Sequence, residues 1–526
     1  MTALDRNSVV AVIGSGAMGS GIAQVAAASG HVVKLYDTRP EAVSKAITDI
    51  AKVFQKLVEK ERMSAADADA ATARLRSATS LADVADAGIV VEAVVEKLEV
   101  KRALFAELEG IVADSCILAT NTSSISVTAI AAELRLPQRL VGMHFFNPVP
   151  LMALVEVISG LATDAAVAQT VFDTATAWGK NPVHAKSTPG FIVNRVARPY
   201  YAEALRLLNE QAADPATLDA VMREAGGFRM GPFELMDLIG HDVNFSVTQS
   251  VFNAYYNDPR FTPSVLQQEL VNAGYLGRKS GRGFYAYGEG AVVPAPQAEA
   301  PQPKPEFVSY TVDPSAQADA RDGRDAVANT LAARLRQAGI AVSHRNLSEA
   351  HGKAPAEAAA FHCKGAAVFL SDGRTATQRA ADNHHPDTVL FDLALDYASA
   401  KRIALARADQ CSDVAYLAVV GLFQAAGFTV TRLDDVPGMA VMRTVAMLAN
   451  EAADAVNQGV CSAAAADIAM QKGVNYPRGP LAWADAVGVA NIVNVLSNLA
   501  ASYGEDRYRV SPLLRRKQAT GGRFHA

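Results

Sequence analysis

Ser8-Val-Val-Ala-Val-Ile-Gly14-Ser-Gly16-Ala17-Met18-Gly19-Ser-Gly21 joins an apolar run of strand length to the spacing G-x-G-x-x-G and then to an alanine-rich stretch. Gly14 permits the tight turn, Gly16 lets a pyrophosphate approach the backbone, and Gly19 lets helix and strand pack closely. By itself this spacing is a weak signal. It gains weight from His31-Val-Val-Lys-Leu-Tyr-Asp37, a second strand ending in an acid at about the distance a dinucleotide fold requires. A carboxylate there accepts from a ribose 2′-hydroxyl and opposes a 2′-phosphate, so NAD is expected over NADP, with Arg39 the one nearby feature favouring NADP. The turn residues Gly14, Gly16, Ala17, Met18 and Gly19, with Asp37, form the expected cofactor cradle.

The 526 residues are 50% hydrophobic and 20% charged, enough for about three domains with cores of their own. A net charge of −5 and a pI near 6.1 offer no basic field for nucleic acid, so any phosphate site must be local. Cys116, Cys363, Cys411 and Cys461 lie far apart, with no metal-ligand spacing and no disulfide framework. The N-terminal stretch lacks a leader pattern, and the longest apolar run, near Tyr416 to Phe428, is broken by Gly421 and Gln424. The sequence thus predicts a cytoplasmic protein without a metal or membrane anchor.

Val141-Gly-Met-His144-Phe-Phe-Asn147-Pro-Val-Pro-Leu-Met-Ala-Leu-Val-Glu156 sets two strand-like runs about an Asn-Pro turn signal. His144 would end the first strand and Glu156 lie within the second, side by side. An imidazole oriented by a carboxylate takes a proton from an alcohol near neutral pH; the alternative is a buried histidine satisfied by backbone. Residues 41–76 read as two amphipathic helices with Lys45, Lys52, Lys56 and Lys60 at helical spacing, either a solvated face or a hairpin meeting the phosphates of a long substrate. Gly88 to Glu96 and Cys116 to Ser124 are two further buried strands. Glu96, Asn121 and Ser123 at their ends would face a ligand crevice, or be ordinary turn residues.

Asn121-Thr-Ser-Ser, His144-Phe-Phe-Asn147-Pro-Val-Pro with Glu156, Thr188-Pro-Gly-Phe-Ile-Val-Asn194-Arg195 and Gly231-Pro-Phe-Glu together resemble the NAD-dependent 3-hydroxyacyl-CoA dehydrogenase family, over about residues 8–287. The resemblance implies His144 as general base, Glu156 as its orienter, and Ser123 and Asn194 as hydrogen-bonding groups around the reacting oxygen. It implies that Glu96, Lys101, Ser123, Asn147 and Lys279 touch the nicotinamide half of NAD and that Lys56 and Ser123 touch the CoA thioester substrate. Where that family places a CoA-contacting serine, this chain carries Asp49.

From Lys186 to about Tyr287 the pattern is helical. Gly288 to Pro305, with its spaced prolines, reads as a semi-extended and poorly packed linker. Beyond it, helices near Asp325–Gln337 and Ser412–Ala426 and strands near Ala366–Leu370 and Val389–Leu395 resume an α/β pattern without a glycine motif. It resembles the reduced dinucleotide domain of long bacterial family members, with no second cofactor expected. Pro437-Gly438, Arg443, Glu451, Asp467, Gly479-Pro480, Asp485 and Gly488 then repeat Pro189-Gly190, Arg195, Glu203, Asp219, Gly231-Pro232, Asp237 and Gly240 at a constant offset of 248, while Met442 replaces Asn194.

The expected architecture is therefore a Rossmann-type NAD domain (1–186), an all-α domain (187–287), a linker (288–306), a reduced Rossmann-like domain (307–430) and a second, degenerate all-α domain (431–526). The two helical domains are expected to pair within one chain, as two-fold interfaces do, with further homo-oligomerisation open. Length and tandem arrangement resemble long bacterial forms acting on 3-hydroxyadipyl-CoA in phenylacetate breakdown, with 3-hydroxybutyryl-CoA the alternative. Arg198, one helical turn after Asn194, is a candidate partner for a distal carboxylate, or else a surface arginine paired with a neighbour such as Glu203. β-Hydroxyacid dehydrogenases place a Lys four residues before an Asn; here Gly190 stands there. A hydratase fusion lacks room, and a non-catalytic binding protein is disfavoured by intact His144, Glu156, Ser123 and Asn194.

Overall fold

The computed structural model describes residues 3–312, 323–346 and 359–525, which fall into two compact units: Met1–Arg195 with Gln458–Val474, and Val196–Asn457 with Asn475–Ala526. In the first unit β1 (Val9–Ile13), β2 (Val33–Tyr36), β3 (Leu75–Ser77), β4 (Ala87–Glu92), β5 (Ile117–Thr120), β6 (Leu140–Phe145), β7 (Leu154–Ser159) and β8 (Asn181–Lys186) make one sheet ordered 3-2-1-4-5-6-7-8. Strand order reverses between β1 and β4, which opens a crevice at the carboxyl ends of the strands. β1 is a continuous apolar run because both its faces are covered; Val10, Ala11 and Val12 are fully buried.

Gly14 sits at φ +105°, and a Cβ there would strike the Ala93 carbonyl, while one at Gly19 would overlap the Gly14 carbonyl. Only glycine lets the helix Ala17–Ala28 start so close to β1. The expected hairpin is the helices Pro40–Glu59 and Ala65–Arg74. The first buries Val43, Ala46, Ile50 and Phe54 at helical spacing and leaves Lys45, Lys52, Lys56 and Lys60 exposed. In this sheet, among the described residues, β6 and β7 are the one antiparallel pair, in a register that sets His144 opposite Glu156.

The second unit holds a sheet of β9 (Phe307–Val312), β10 (Ala341–Asn346), β11 (Phe361–Cys363), β12 (Ala366–Leu370), β13 (Thr388–Phe391), β14 (Arg402–Arg407) and β15 (Thr429–Arg432), ordered 10-9-11-12-13-14-15. The strand expected to reach Leu395 stops at Phe391, because Asp392 turns a fully buried carboxylate to the N–H groups of Ala440, Val441 and Met442. β14, with its two terminal arginines, was not legible as a strand. The proline-rich segment stays exposed over most of its length, as its composition predicts, yet hydrogen bonds pin it to the second unit. Glu299 N–H bonds to the Val430 carbonyl, Gln424 donates to the carbonyls of Glu299 and Ala300, and Arg402 and Thr431 donate to the Gln297 carbonyl. Those carbonyls are filled by side chains of β14, β15 and the helix Asp413–Ala425.

Helices recur at the offset seen in the sequence: Pro232–Ile239 returns as Pro480–Val487, and the stretch Val193–Asn209 returns as Val441–Asn457. The contacts recur reciprocally. Lys186 N–H bonds to the Val460 carbonyl, and 248 positions on Asp434 N–H bonds to the Ala212 carbonyl. Arg195 bonds to Gln458 at 2.8 Å and Arg443 to Glu210 at 2.7 Å. Arg260 bonds to Glu451 and Tyr508 to Glu203. Residues 458–474 belong to the first unit because the helix Ala463–Gly473 packs on β7 and β8; a Cβ at Gly473 would strike Leu154 and Val193. Among the described residues no single helix is long and apolar enough to cross a membrane.

Candidate active site

His144 is 5% exposed, and its Nδ1 lies 2.7 Å from Oε2 of the fully buried Glu156. Nδ1–H donating to that carboxylate leaves Nε2 with its lone pair, the form a general base requires. The second oxygen of Glu156 is also used. Oε1 accepts from Ile192 N–H at 3.0 Å and Val193 N–H at 2.9 Å, the first amides of the helix Val193–Val196 that carries Asn194. One carboxylate therefore orients the imidazole and caps that helix.

Asn194 Nδ2 donates to the Ser123 carbonyl at 3.2 Å, so the structure brings Ser123, Asn194, His144 and Glu156 together in one unit. Ser123 is held by Glu96, whose Oε1 accepts from Thr122 Oγ1 at 2.6 Å, Ser123 N–H at 2.8 Å and Ser124 N–H at 3.1 Å. Burial works against ionising Glu96, yet the hydrogen bond from Thr122 and the charge of Lys101 outweigh it and hold its carboxyl below the usual range. Lys101 is 1% exposed, clasped by Glu92 at 2.6 Å and Glu96 at 3.2 Å, while Thr120 donates to Glu92 at 2.6 Å. Its ammonium is thus committed to two carboxylates. Sequence reasoning missed Glu92, Thr120 and Thr122; a charge inside the apolar run Gly88–Val94 was the signal available.

At the glycine turn, Asp37 Oδ2 accepts from Ser15 N–H at 2.9 Å and Ser15 Oγ at 2.8 Å, and Oδ1 from Arg39 N–H at 3.1 Å. Burial pushes the Asp37 carboxyl up, but the bonds from Ser15 prevail and hold it below the ordinary range. Arg39 approaches the same carboxylate at 3.6 Å. A Cβ at Gly16 would meet nothing within 4 Å, which leaves open space above the amides starting the helix Ala17–Ala28. A crevice of ≈ 720 Å³ runs past Gly16, Ala17, Arg39, Lys45, Asp49 and Asn147. The donor set fits a dinucleotide: glycine-lined space for a pyrophosphate and an ionised acceptor for a ribose hydroxyl.

Asn147 and Lys56 are exposed, and Asp49 pairs with Lys45 at 2.6 Å and Lys52 at 3.3 Å, which offsets one of the four lysine charges on that helix face. Lys279 lies in the second unit, where it pairs with Asp242 at 2.5 Å. Arg198, also in the second unit, is not a surface residue: it is 6% exposed, and Glu203 is engaged by Arg443 and Arg507 instead.

This arrangement, a glycine-turn dinucleotide fold with a histidine–carboxylate couple at its strand ends, defines an alcohol dehydrogenase of the dinucleotide-binding class. Residues 9–188 match the 3-hydroxyacyl-CoA dehydrogenase NAD binding domain, residues 190–287 and 438–523 the C-terminal domain of that family, and residues 368–437 the 3-hydroxybutyryl-CoA dehydrogenase reduced Rossmann-fold domain. The chain belongs to the 3-hydroxyacyl-CoA dehydrogenase family, whose members are NAD-dependent oxidoreductases. It is 43% identical over 509 residues, 97% of each chain, to the 3-hydroxyadipyl-CoA dehydrogenase of Escherichia coli K12. The human mitochondrial hydroxyacyl-coenzyme A dehydrogenase is 40% identical over 284 residues, covering 53% of this chain and 90% of that one. A crystal structure titled 3-hydroxybutyryl-CoA dehydrogenase from Escherichia coli K12 superposes with a TM-score of 0.85 at 42% identity, covering 98% of this chain and 99% of that one.

Proposed function

We propose that the protein oxidises an (S)-3-hydroxyacyl-CoA to the 3-ketoacyl-CoA, with 3-hydroxyadipyl-CoA as its physiological substrate. The observation that carries the reaction is the His144–Glu156 pair at 2.7 Å, with Ser123 and Asn194 beside it. His144 Nε2 takes the hydroxyl proton as the C3 hydrogen leaves as hydride; Glu156 stabilises the imidazolium formed, and Ser123 and Asn194 hold the reacting oxygen. NAD, when bound in the glycine-lined crevice, supplies the hydride acceptor. Asp37 selects NAD over NADP by accepting from the ribose hydroxyl, and Asn147 and Glu96 border the nicotinamide. Because Lys101 is committed to Glu92 and Glu96, its part is to fix the Glu96 carboxylate that in turn holds Ser123.

The adipyl assignment rests on the name of the Escherichia coli relative aligned over nearly the whole of both chains. The solved structure of similar coverage carries the butyryl name, which makes 3-hydroxybutyryl-CoA the second reading. Initial rates of NADH formation on the two thioesters decide between them. A kcat/KM for 3-hydroxyadipyl-CoA at or below that for 3-hydroxybutyryl-CoA overturns the adipyl reading. Four free thiols suit a reducing compartment, and we assign the protein to the cytoplasm. The reciprocal contacts made by the two helical copies support an intrachain pseudo-dimer.

A further inference from the structure

Within the first unit, buried Lys101 lies between Glu92 and Glu96, and buried Arg139 meets Glu109 at 3.5 Å. Lys180 is held differently. It is 7% exposed, and its Nζ donates to the Val149 carbonyl at 2.5 Å and the Met152 carbonyl at 2.9 Å, with no carboxylate partner among the described residues. Burial holds its ammonium below the ordinary lysine range. Taking an ammonium out of water without a counter-ion is costly, and an apolar side chain would fill the same space without that cost. What the charge holds is therefore the question.

The backbone delivers Lys180 to its place. Gly179, at φ +74°, closes the helix Ala165–Ala177 in a Schellman turn, its N–H bonding to the Thr176 carbonyl and the Lys180 N–H to the Ala175 carbonyl. The residue after such a glycine commonly packs an apolar side chain back on its helix. Here a lysine stands there and reaches the connection between β6 and β7. In that connection Leu151 and Met152 N–H both bond to the Pro148 carbonyl at 3.0 Å. Pro148 and Pro150 have no N–H of their own to tie the segment down, and both are exposed, as is Leu151. Yet the segment lines the ≈ 720 Å³ crevice together with Gly16 and Ala17. Val149, 1% exposed, abuts the helix Ala17–Ala28, for a Cβ on Gly21 would come within 2.8 Å of the Val149 Cβ. The Lys180 ammonium ties this wall from inside the protein.

Resting on the NAD-dependent reading above, we propose that Lys180 is a positioning residue for the cofactor: by clamping the carbonyls of Val149 and Met152 it fixes Asn147 and the crevice wall beside the glycine turn. It acts through the segment 147–152 and not by contact with the reacting atoms. Its effect falls on binding, because His144 and Glu156 take their places from the β6–β7 register and from their own hydrogen bond.

Lys180→Met keeps the bulk of the side chain and removes its charge and donors. In the full chain, a fluorescence titration with NADH should then give a Kd raised by about tenfold, and the KM for NAD should rise in step, while kcat at saturating NAD stays within about threefold of wild type. Lys180→Arg, which keeps a charged donor, should recover part of the affinity, and Lys180→Gln should fall between Met and wild type. Lys180→Gln decides the matter if Lys180→Met fails to fold. Each titration is made well below the melting temperature of its variant, so that a loss of stability alone does not register. Folded variants that bind NADH as the wild type does overturn the clamp, and so does a kcat lowered as far as the affinity. A wild-type chain that binds no NADH instead overturns the cofactor reading on which the clamp rests.

Discussion

His144 and Glu156 differ in what else they hold, and this separates their substitutions. Among the described residues the imidazole has one polar partner, so His144→Ala should leave NAD binding and folding nearly intact while lowering turnover by about 10²-fold or more. Steady-state rates beside a fluorescence titration with NADH check this, and a variant with wild-type turnover removes His144 as the base. Glu156→Gln should slow turnover too, and unlike His144→Ala it should also lower thermal stability, because an amide cannot replace an ionised cap shared by two N–H groups and an imidazole. At the other end of the crevice, Asp37 stays ionised through neutral pH because Ser15 donates to it twice. Asp37→Ser should reduce the preference for NAD over NADP by about tenfold or more, the worth of one charge-assisted hydrogen bond. Native preference for NADPH would mean that Arg39 overrides the carboxylate.

At the scale of elements, the carboxylates beneath helix ends explain what the second half of the chain retained. Glu156 caps the helix beginning at Val193, and Asp392, whose own N–H bonds to the Ala404 carbonyl on β14, caps the equivalent helix at Ala440, Val441 and Met442. The cap persists without an imidazole. The Lys279 turn has been shed as well: Asp237 receives the N–H groups of Phe284 and Tyr285, whereas Asp485 receives those of Phe524 and His525, eight positions earlier in the repeat. The glycine turn with its flanking strands, the hairpin helices, the repeat offset and the His144–Glu156 pairing were legible because periodicity, glycine spacing and motif spacing are signals carried by the chain itself. The seat of Lys101, the hydrogen bonds that pin the linker and β14 were not, because long-range partners decided them.

Glu203 gives this scale a pH signature. Burial opposes its ionisation, but the charges of Arg507, Arg443 and Arg206 outweigh that and bring its carboxyl down to about 2. A carboxyl depressed in the folded state adds stability above its unfolded value, near 4.5, and loses that contribution as pH falls through its folded value. Glu203→Gln should therefore cost about 3–5 kcal/mol near pH 7, since it takes the carboxylate partner from buried Arg507 and one of two from buried Arg443, and the gap from wild type should narrow between about pH 4.5 and pH 2. Denaturant melts across that range measure it. A gap that does not change with pH would mean that Glu203 acts through packing.

At the scale of the whole molecule, a two-fold interface requires that what residue i does to residue j is returned. The pairs Lys186–Val460 and Asp434–Ala212, Arg195–Gln458 and Arg443–Glu210, and Arg260–Glu451 and Tyr508–Glu203 satisfy this at one offset. Between the copies Tyr200 and Phe228 stack with Tyr476 and Trp483, all four buried, at ring separations of 5.1 to 5.7 Å. The exchange extends to the sheets: the helix Pro215–Glu224 packs on β14, and its counterpart Ala463–Gly473 packs on β7 and β8. On the proposed pairing, a second helical copy with Met442 in place of the asparagine would be kept for the surface it covers. Tethering at an effective concentration of about millimolar makes pairing in cis favourable over pairing between chains. Residues 1–290 alone would bare Tyr200, Phe228 and the Leu154 face of β7, leaving Glu203 without Arg443 or Arg507. We expect that fragment to dimerise through the bared surface or to aggregate, with a lower melting temperature than the full chain. Sedimentation velocity and thermal melts are the measurements, and a fragment that is monomeric, soluble and as heat-stable as the full chain excludes the intrachain pair.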